Sequence, residues 1–265
     1  MTCKWLFFGL ALILFSACVP NKKLVYYQKE DLKHRKDIPR DTVLRTHALN
    51  IEEYHIQPLD LLSINFETLT DESDAFDFLS KLSPQVRTSG SGLNSAAANG
   101  ILVNREGDIE YAILGKIHVA GLTPFQAEDT LRARASQYMP DVIVRVRMLN
   151  FRFTVLGEVV SEKTVISPNT RLTMSEAIGL AGGLSELADR SLVKVIRQKG
   201  NQTEVYYIDL LQEEFLESSH YYVQQNDVIV VPPLKQRTFR KYFTTNLAII
   251  TTAISFGLLI ITLTK

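Results

Sequence analysis

The sequence predicts an α+β chain of two successive units, each built from short strands around one short helix, and it predicts a separate apolar helix at the C-terminus. Two self-capped helix starts, alternating strand patterns on either side of each, and an uncharged stretch near the end carry this reading. Neither unit shows the long βαβ alternation of a Rossmann sheet.

The first unit opens at residue 51. Tyr54 and Ile56, a turn at Gln57-Pro58, and then Leu61, Leu62, Ile64 and Phe66 predict a strand. Residues 70–100 begin acidic and end in serine, glycine, alanine and asparagine, which is the composition of an exposed excursion. Residues 101–103, 108–112 and 117–119 read as short strands parted by Glu106-Gly107 and Gly115. Thr123 then caps a helix that has Pro124 at its first position and Gln126 three residues after the cap, with Phe125, Leu131 and Ala135 as its expected apolar face. Val142, Val144 and Val146 alternate with Ile143, Arg145 and Arg147, the pattern of a half-buried strand.

The second unit begins at residue 150. A strand at 153–156 ends in Gly157, and Val165-Ile166 gives another. Thr173 and Glu176 form a capping box for a helix that stops at Gly182-Gly183. Residues 192–197 and 205–210 make a hairpin around Lys199-Gly200-Asn201, and 227–231 is a closing strand halted by Pro232-Pro233.

The two ends carry an address. Lys4, an apolar run at 5–15, and the small residues Ser16 and Ala17 lay out a secretory signal over residues 1–17. Cys3 and Cys18 are the only cysteines, so the folded body has no thiol for a disulfide or a nucleophile. Phe15-Ser16-Ala17-Cys18 resembles the lipobox of bacterial lipoproteins, which makes Cys18 the expected lipidation site and membrane lipid an expected partner; an ordinary signal peptide with an incidental cysteine is the alternative. Residues 18–50, rich in Lys, Arg and Asp, read as a tether, extended or ordered only against a partner.

At the other end, 246–264 is uncharged and nineteen residues long, which predicts a transmembrane helix after a juxtamembrane linker at 234–245. On a helical wheel Thr244, Thr251, Ser255 and Thr262 fall within about 40° of one another. This hydroxyl stripe either faces a lumen or a neighbouring copy, or its side chains bond back to their own helix carbonyls.

Formal net charge is zero, which gives no reason to expect nucleic acid as a partner. The five histidines are scattered, no Walker or nucleophile-elbow sequence is present, and Asp227 and Glu158 read as turn and loop residues rather than an acid/base pair. Tyr206, Tyr207, Tyr221 and Tyr222 are able to stack on sugar rings, although strand alternation sends half of them to a core.

Tyr54-His55-Ile56-Gln57-Pro58-Leu59-Asp60-Leu61, Asn104-Arg105-Glu106-Gly107-Asp108, Val119-Ala120-Gly121-Leu122-Thr123 and Pro140-Asp141-Val142 resemble the motifs of the polysaccharide biosynthesis and export proteins of bacterial outer membranes, with Leu59 where glycine is usual. Val155-Leu156-Gly157-Glu158-Val159, Ala181-Gly182-Gly183-Leu184 and Gln225-Asn226-Asp227-Val228 resemble the soluble-ligand-binding (SLBB) β-grasp domain. The resemblance implies an export domain at 51–149, a β-grasp domain at 150–233, and a ring homo-oligomer that exports capsular or extracellular polysaccharide from the periplasm through the outer membrane. A ring of about eight helices, each ~10 Å across, would leave a bore of roughly 16 Å at the membrane. The implied partners are sister copies, the polysaccharide, and an inner-membrane co-polymerase or tyrosine kinase. No enzyme activity, cofactor or metal is expected. The alternative is a periplasmic glycan-binding or scaffolding lipoprotein anchored in the inner membrane.

Overall fold

The structure, a computed structural model, describes residues 21–29, 36, 38–68, 100–111, 113–200 and 202–237, together with 251, 252, 255, 256 and 262. The first unit comprises β1 (Leu61–Glu67), β2 (Ile101–Leu102), β3 (Asp108–Tyr111), β4 (Gly115–His118), α1 (Pro124–Ala135) and β5 (Ile143–Met148). Strand β1 lies between β2 and β5, antiparallel to both, and β3 pairs with β4 as a separate hairpin. The alternation in β5 is complete: Val144, Val146 and Met148 are buried and Ile143, Arg145 and Arg147 are exposed.

Helix α1 starts where its sequence dictates. Thr123 accepts from the Gln126 amide while the Gln126 side chain accepts from the Thr123 amide, satisfying two donors that the helix cannot pair internally. Its buried face is Ala127, Leu131 and Ala135, spaced four apart. Phe125 is not part of it and stands 73% exposed, because two positions before Ala127 lies about 200° around the helix, on the opposite side.

The second unit comprises β6 (Arg152–Gly157), β7 (Lys163–Ile166), α2 (Met174–Leu180), β8 (Val193–Lys199), β9 (Gln202–Ile208) and β10 (Val228–Val231). Its five-stranded sheet runs β7-β6-β10-β8-β9. The last strand inserts at the centre, parallel to β6 and antiparallel to β8. Helix α2, started by the Thr173–Glu176 capping box, seats Met174, Ala177 and Ile178 on one face of this sheet. One hydrophobic cluster runs through both units, with Phe151 and Phe153 entirely buried where they meet.

At the first unit's entrance the chain turns on Leu59, whose φ is +73°. A left-handed conformation costs a residue with a Cβ about 1–2 kcal/mol, and glycine gives back roughly 0.5–1 kcal/mol of that as lost chain entropy. Leu59 is 58% exposed and contributes little packing in return. Leu59→Gly is therefore expected to stabilise the chain by about 0.5–1 kcal/mol in a urea titration; a destabilised variant would contradict this account of the turn.

Part of the stretch read as a tether is held against the chain itself: the amides of Tyr27 and Gln28 donate to the carbonyls of Leu210 and Leu211 at 3.1 and 2.7 Å, Gln28 is buried, and Tyr27 shares a hydrogen bond with Ser175. The expected transmembrane helix at 246–264 is not upheld, since no helix among the described residues is long and apolar enough to cross a membrane. Most of that stretch lies outside the described residues, and its described positions are Thr251, Thr252, Ser255, Phe256 and Thr262. The physical reason is visible in the sequence: a span needs about 20 predominantly apolar residues, whereas these nineteen only just reach that length and are interrupted by hydroxyls. The α+β arrangement of the body stands without it.

Candidate functional site: a polar groove where the two units meet

The link between β5 and β6 is short, and Asn150 within it joins both units. Its side chain accepts from the Leu61 amide at 2.9 Å and donates to the Leu59 carbonyl at 3.2 Å. Its own carbonyl accepts from Gln225 Nε2 at 2.9 Å, and Gln225 Oε1 accepts from the Arg152 amide at 2.7 Å. The Arg152 guanidinium reaches the Asn226 side chain at 3.1 Å. Asn226 has a φ of +63° and supports the turn into β10, a conformation that asparagine tolerates better than most residues.

These residues line a groove of about 500 Å³ whose polar wall includes Gln57, Asn150, Arg152, Lys199 and Gln225. It adjoins a smaller hollow of about 130 Å³ against Glu52, Tyr54, His55 and Tyr222, and the two share Gln57 and Gln224. Amide side chains, one guanidinium and one ammonium can hydrogen-bond the hydroxyls and carboxylates of a saccharide, and the volume falls within the usual range of about 300–1,000 Å³ for ligand clefts.

A buried ion pair holds the Gln224–Asn226 turn that lines the groove. Arg197 Nε and Nη2 donate to the two oxygens of Asp227 at 2.9 and 2.7 Å, and Arg197 Nη2 also donates to the Tyr222 carbonyl at 3.2 Å. Asp227 Oδ2 accepts in addition from the Gln224 amide at 2.8 Å. Tyr206 lies under the guanidinium and stacks on His220, with ring centroids 3.7 Å apart. Asp227, expected as a turn residue, thus ties the turn that shapes the groove to the middle of the sheet. Burial pushes the His220 imidazole below its ordinary pKa, and the Arg197 charge adds to this.

Opposite the turn, Asp60 accepts from the Tyr54 hydroxyl at 2.6 Å and the Gln57 amide at 2.8 Å, which orders Gln57-Pro58-Leu59. Burial raises the Asp60 carboxyl, and these two hydrogen bonds partly offset it. Glu158, the other acid read as a loop residue, accepts from Ser185 and pairs with Arg237 at 2.7 Å.

Of the sequence-predicted site residues, the described ones, Thr251, Ser255 and Thr262, are not among those that line this groove. Cys18 and Thr244 lie outside the described residues. Thr251, Ser255 and Thr262 are exposed and helical, and the Ser255 hydroxyl donates to the Thr251 carbonyl at 2.9 Å. Of the four tyrosines, Tyr206 is occupied with Arg197 and His220, Tyr221 and Tyr222 are half-buried, and Tyr207 is exposed. The groove itself had a signal in the sequence, the amide-rich Gln224-Gln225-Asn226 and Asn150, but their convergence requires the non-local pairing of β6 with β10.

A second cluster fastens the N-terminal stretch. Glu213 receives Arg45 at 2.6 Å and His47 Nε2 at 2.7 Å, and His47 Nδ1 reaches Glu217 at 2.7 Å. Hydrogen bonds donated to Glu213 and then to Glu217 hold the imidazole above its ordinary pKa, while Arg45 first and His47 after it hold Glu213 below the usual carboxylate range. The histidine's contribution is complete below about pH 6.5 and is lost as pH rises through its raised value; that of Glu213 is present above about pH 4.3 and is lost as pH falls through its lowered value. Amide exchange corrected for its intrinsic rate is therefore expected to show residues 43–49 better protected at pH 6 than at pH 8, and His47→Ala is expected to remove the difference. Equal protection in the unsubstituted chain would contradict it.

Residues 49–149 match the family described as polysaccharide biosynthesis/export protein, and residues 151–231 match the SLBB domain, so the two matches in series cover about two thirds of the chain. The chain thus contains a polysaccharide biosynthesis/export domain followed by an SLBB domain. The first is a family of export proteins, not of enzymes. Among the relatives, the EPS I polysaccharide export outer membrane protein EpsA of Ralstonia solanacearum is 28% identical over 138 residues, which cover 51% of this chain and 36% of the relative. The protein of the same name from Ralstonia nicotianae is 26% identical over 153 residues, 56% of this chain and 39% of the relative. The matched stretch spans little more than a third of each relative's length.

Proposed function

We propose that this protein is a subunit of an oligomeric outer-membrane channel that passes capsular or extracellular polysaccharide from the periplasm to the cell surface. The observation that carries the proposal is the pairing of an export module with a β-grasp module in one chain, knitted by Asn150 and Gln225 into a body with a polar groove at the seam. The relatives' names, polysaccharide export outer membrane protein, support the same cargo and the same membrane here.

Acylated Cys18 anchors the chain in this reading, with most of the body in the periplasm. A single acyl chain holds only marginally, so stable anchoring requires more than one. Sister copies, the polysaccharide and an inner-membrane co-polymerase or tyrosine kinase are its partners. The exposed Thr251, Ser255 and Thr262 face a lumen or a neighbouring copy in this reading. The protein performs no bond-breaking step; it shelters an aqueous path, and synthesis at the inner membrane drives the chain outward.

The test is removal of the protein from its own cell. Surface polysaccharide is expected to disappear, with polymer retained inside the outer membrane, and re-expression of the full chain is expected to restore export. Undiminished surface polysaccharide in the deletion strain would overturn the proposal.

A further inference from the structure

Charge along the seam between the two units is sorted by end. Arg152 and Lys199 line the larger hollow. Arg152 bonds the Asn226 side chain through Nε and pairs with no carboxylate among the described residues. Lys199 meets Glu204 at 3.6 Å with both side chains exposed, a contact that water largely screens. The other charged group of that hollow, Asp60, is buried, and its Oδ2 already accepts from the Tyr54 hydroxyl and the Gln57 amide. The smaller hollow has the opposite sign, lined by Glu52 and Glu53 and by no lysine or arginine. Gln224 belongs to both, and its Nε2 donates to Glu52 at 2.9 Å.

The two ends therefore take different chemistry. At the cationic end an ionised carboxylate gains charge-assisted hydrogen bonds from a guanidinium and an ammonium, roughly twice as strong as those a neutral hydroxyl makes. At the acidic end a ligand carboxylate is repelled, because an ionised Glu accepts and never donates, whereas a hydroxyl donates to it. Between them the amides of Gln57, Asn150 and Gln225 both donate and accept, as sugar hydroxyls do. An acidic peptide satisfies the first end and carries nothing that suits the second.

We infer that the seam groove binds two linked sugar units of different kind: a uronate-type unit whose carboxylate lies against Arg152 and Lys199, and a neutral unit whose hydroxyls donate to Glu52 and Glu53. The inference rests on the channel proposed above and names the class of polymer it carries, one with a carboxylated sugar beside a neutral one. A path that conducts must hold its cargo strongly enough to admit it and weakly enough to let it leave. An open groove with exposed cations suits that, and each copy is expected to bind with a Kd of about 1 mM.

The test is saturation-transfer NMR on the full-length chain in mild detergent at low salt, with two probes: a hyaluronan tetrasaccharide, in which glucuronate alternates with N-acetylglucosamine, and the same tetrasaccharide with its carboxyls reduced to primary alcohols. The acidic form is expected to bind about tenfold more tightly, the worth of one charge-assisted hydrogen bond. Arg152→Gln combined with Lys199→Gln is expected to abolish that preference and to leave binding of the reduced form unchanged, which shows that the groove is intact in the variant. Glu52→Gln is expected to weaken both forms alike, and unchanged binding there would overturn the placement of the neutral unit. Binding of neither probe, equal binding of the two, or a preference that survives the double substitution would overturn the inference and leave the channel reading intact. A tetraglutamate peptide bound as tightly as the acidic tetrasaccharide would overturn the saccharide assignment. Failure of the channel reading shows separately, as undiminished surface polysaccharide in the deletion strain.

Discussion

Replacing Asp227 with alanine is expected to destabilise the chain by about 3–5 kcal/mol. Asp227 is 0% exposed, and both of its oxygens are occupied by the Arg197 fork. Truncation leaves a guanidinium buried beside Tyr206 without its counter-charge, and it removes the acceptor for the Gln224 amide that shapes the groove turn. The cost comes from the stranded charge more than from the lost attraction, so a second substitution should recover most of it. Asp227→Leu combined with Arg197→Met, an apolar pair of similar volume, is expected to lie within about 1–2 kcal/mol of the unsubstituted protein. Urea titrations of the two single variants and the double variant check both statements. A loss below about 1 kcal/mol for Asp227→Ala would mean that water reaches Arg197 and that the pair does not hold the sheet.

Gly157→Ala is expected to cost about 3 kcal/mol or more, although it adds only one methyl group. Gly157 ends β6 at a φ of +92°, where a Cβ is already strained. A Cβ built there would lie 2.1 Å from the Val231 carbonyl oxygen, a backbone atom of the parallel partner β10 that has no side-chain freedom with which to move away. That oxygen accepts from the Glu158 amide at 2.9 Å, so relieving the clash breaks the last rung between β6 and β10. The expected result is a lower urea midpoint with faster amide exchange in 152–157 and 228–231. Gly183→Ala is the comparison: its φ is +89°, but nothing lies within 4 Å of the added carbon, so it should cost only the conformational part, about 1–2 kcal/mol. Equal losses at the two positions would contradict the close approach.

The elements whose specification is local could be read from the sequence. Thr123-Pro124 with Gln126, and Thr173 with Glu176, carry both halves of a reciprocal hydrogen-bond pair within four residues, and the structure forms both boxes. The alternation around Val142, Val144 and Val146 needs nothing beyond the pleat of one strand. The body's α+β order followed from such signals.

What depends on distant partners could not be read. Arg197 and Asp227 are thirty positions apart and meet only because β10 inserts between β6 and β8. Asp227 therefore looked like a turn residue, and the groove that it supports went unseen. Residues 18–50 looked like a tether because their composition cannot build a core; part of that stretch borrows the core of the second unit through Tyr26 and Tyr27. The apolar stretch at 246–264 was judged on length and absence of charge alone, and the described residues contain no helix able to cross a membrane. Phe125 was misplaced for a simpler reason: the face of a helix is fixed by angle, and an aromatic in the first turn can point away from the core that the following alanines and leucine define.

The claim on which the rest depends is that copies of this chain assemble at the outer membrane around a path for polysaccharide. The most direct measurement is the native mass of the full-length protein extracted in mild detergent from separated inner and outer membranes. A closed assembly of several copies in the outer-membrane fraction is the predicted result, and a single copy confined to the inner membrane would contradict it.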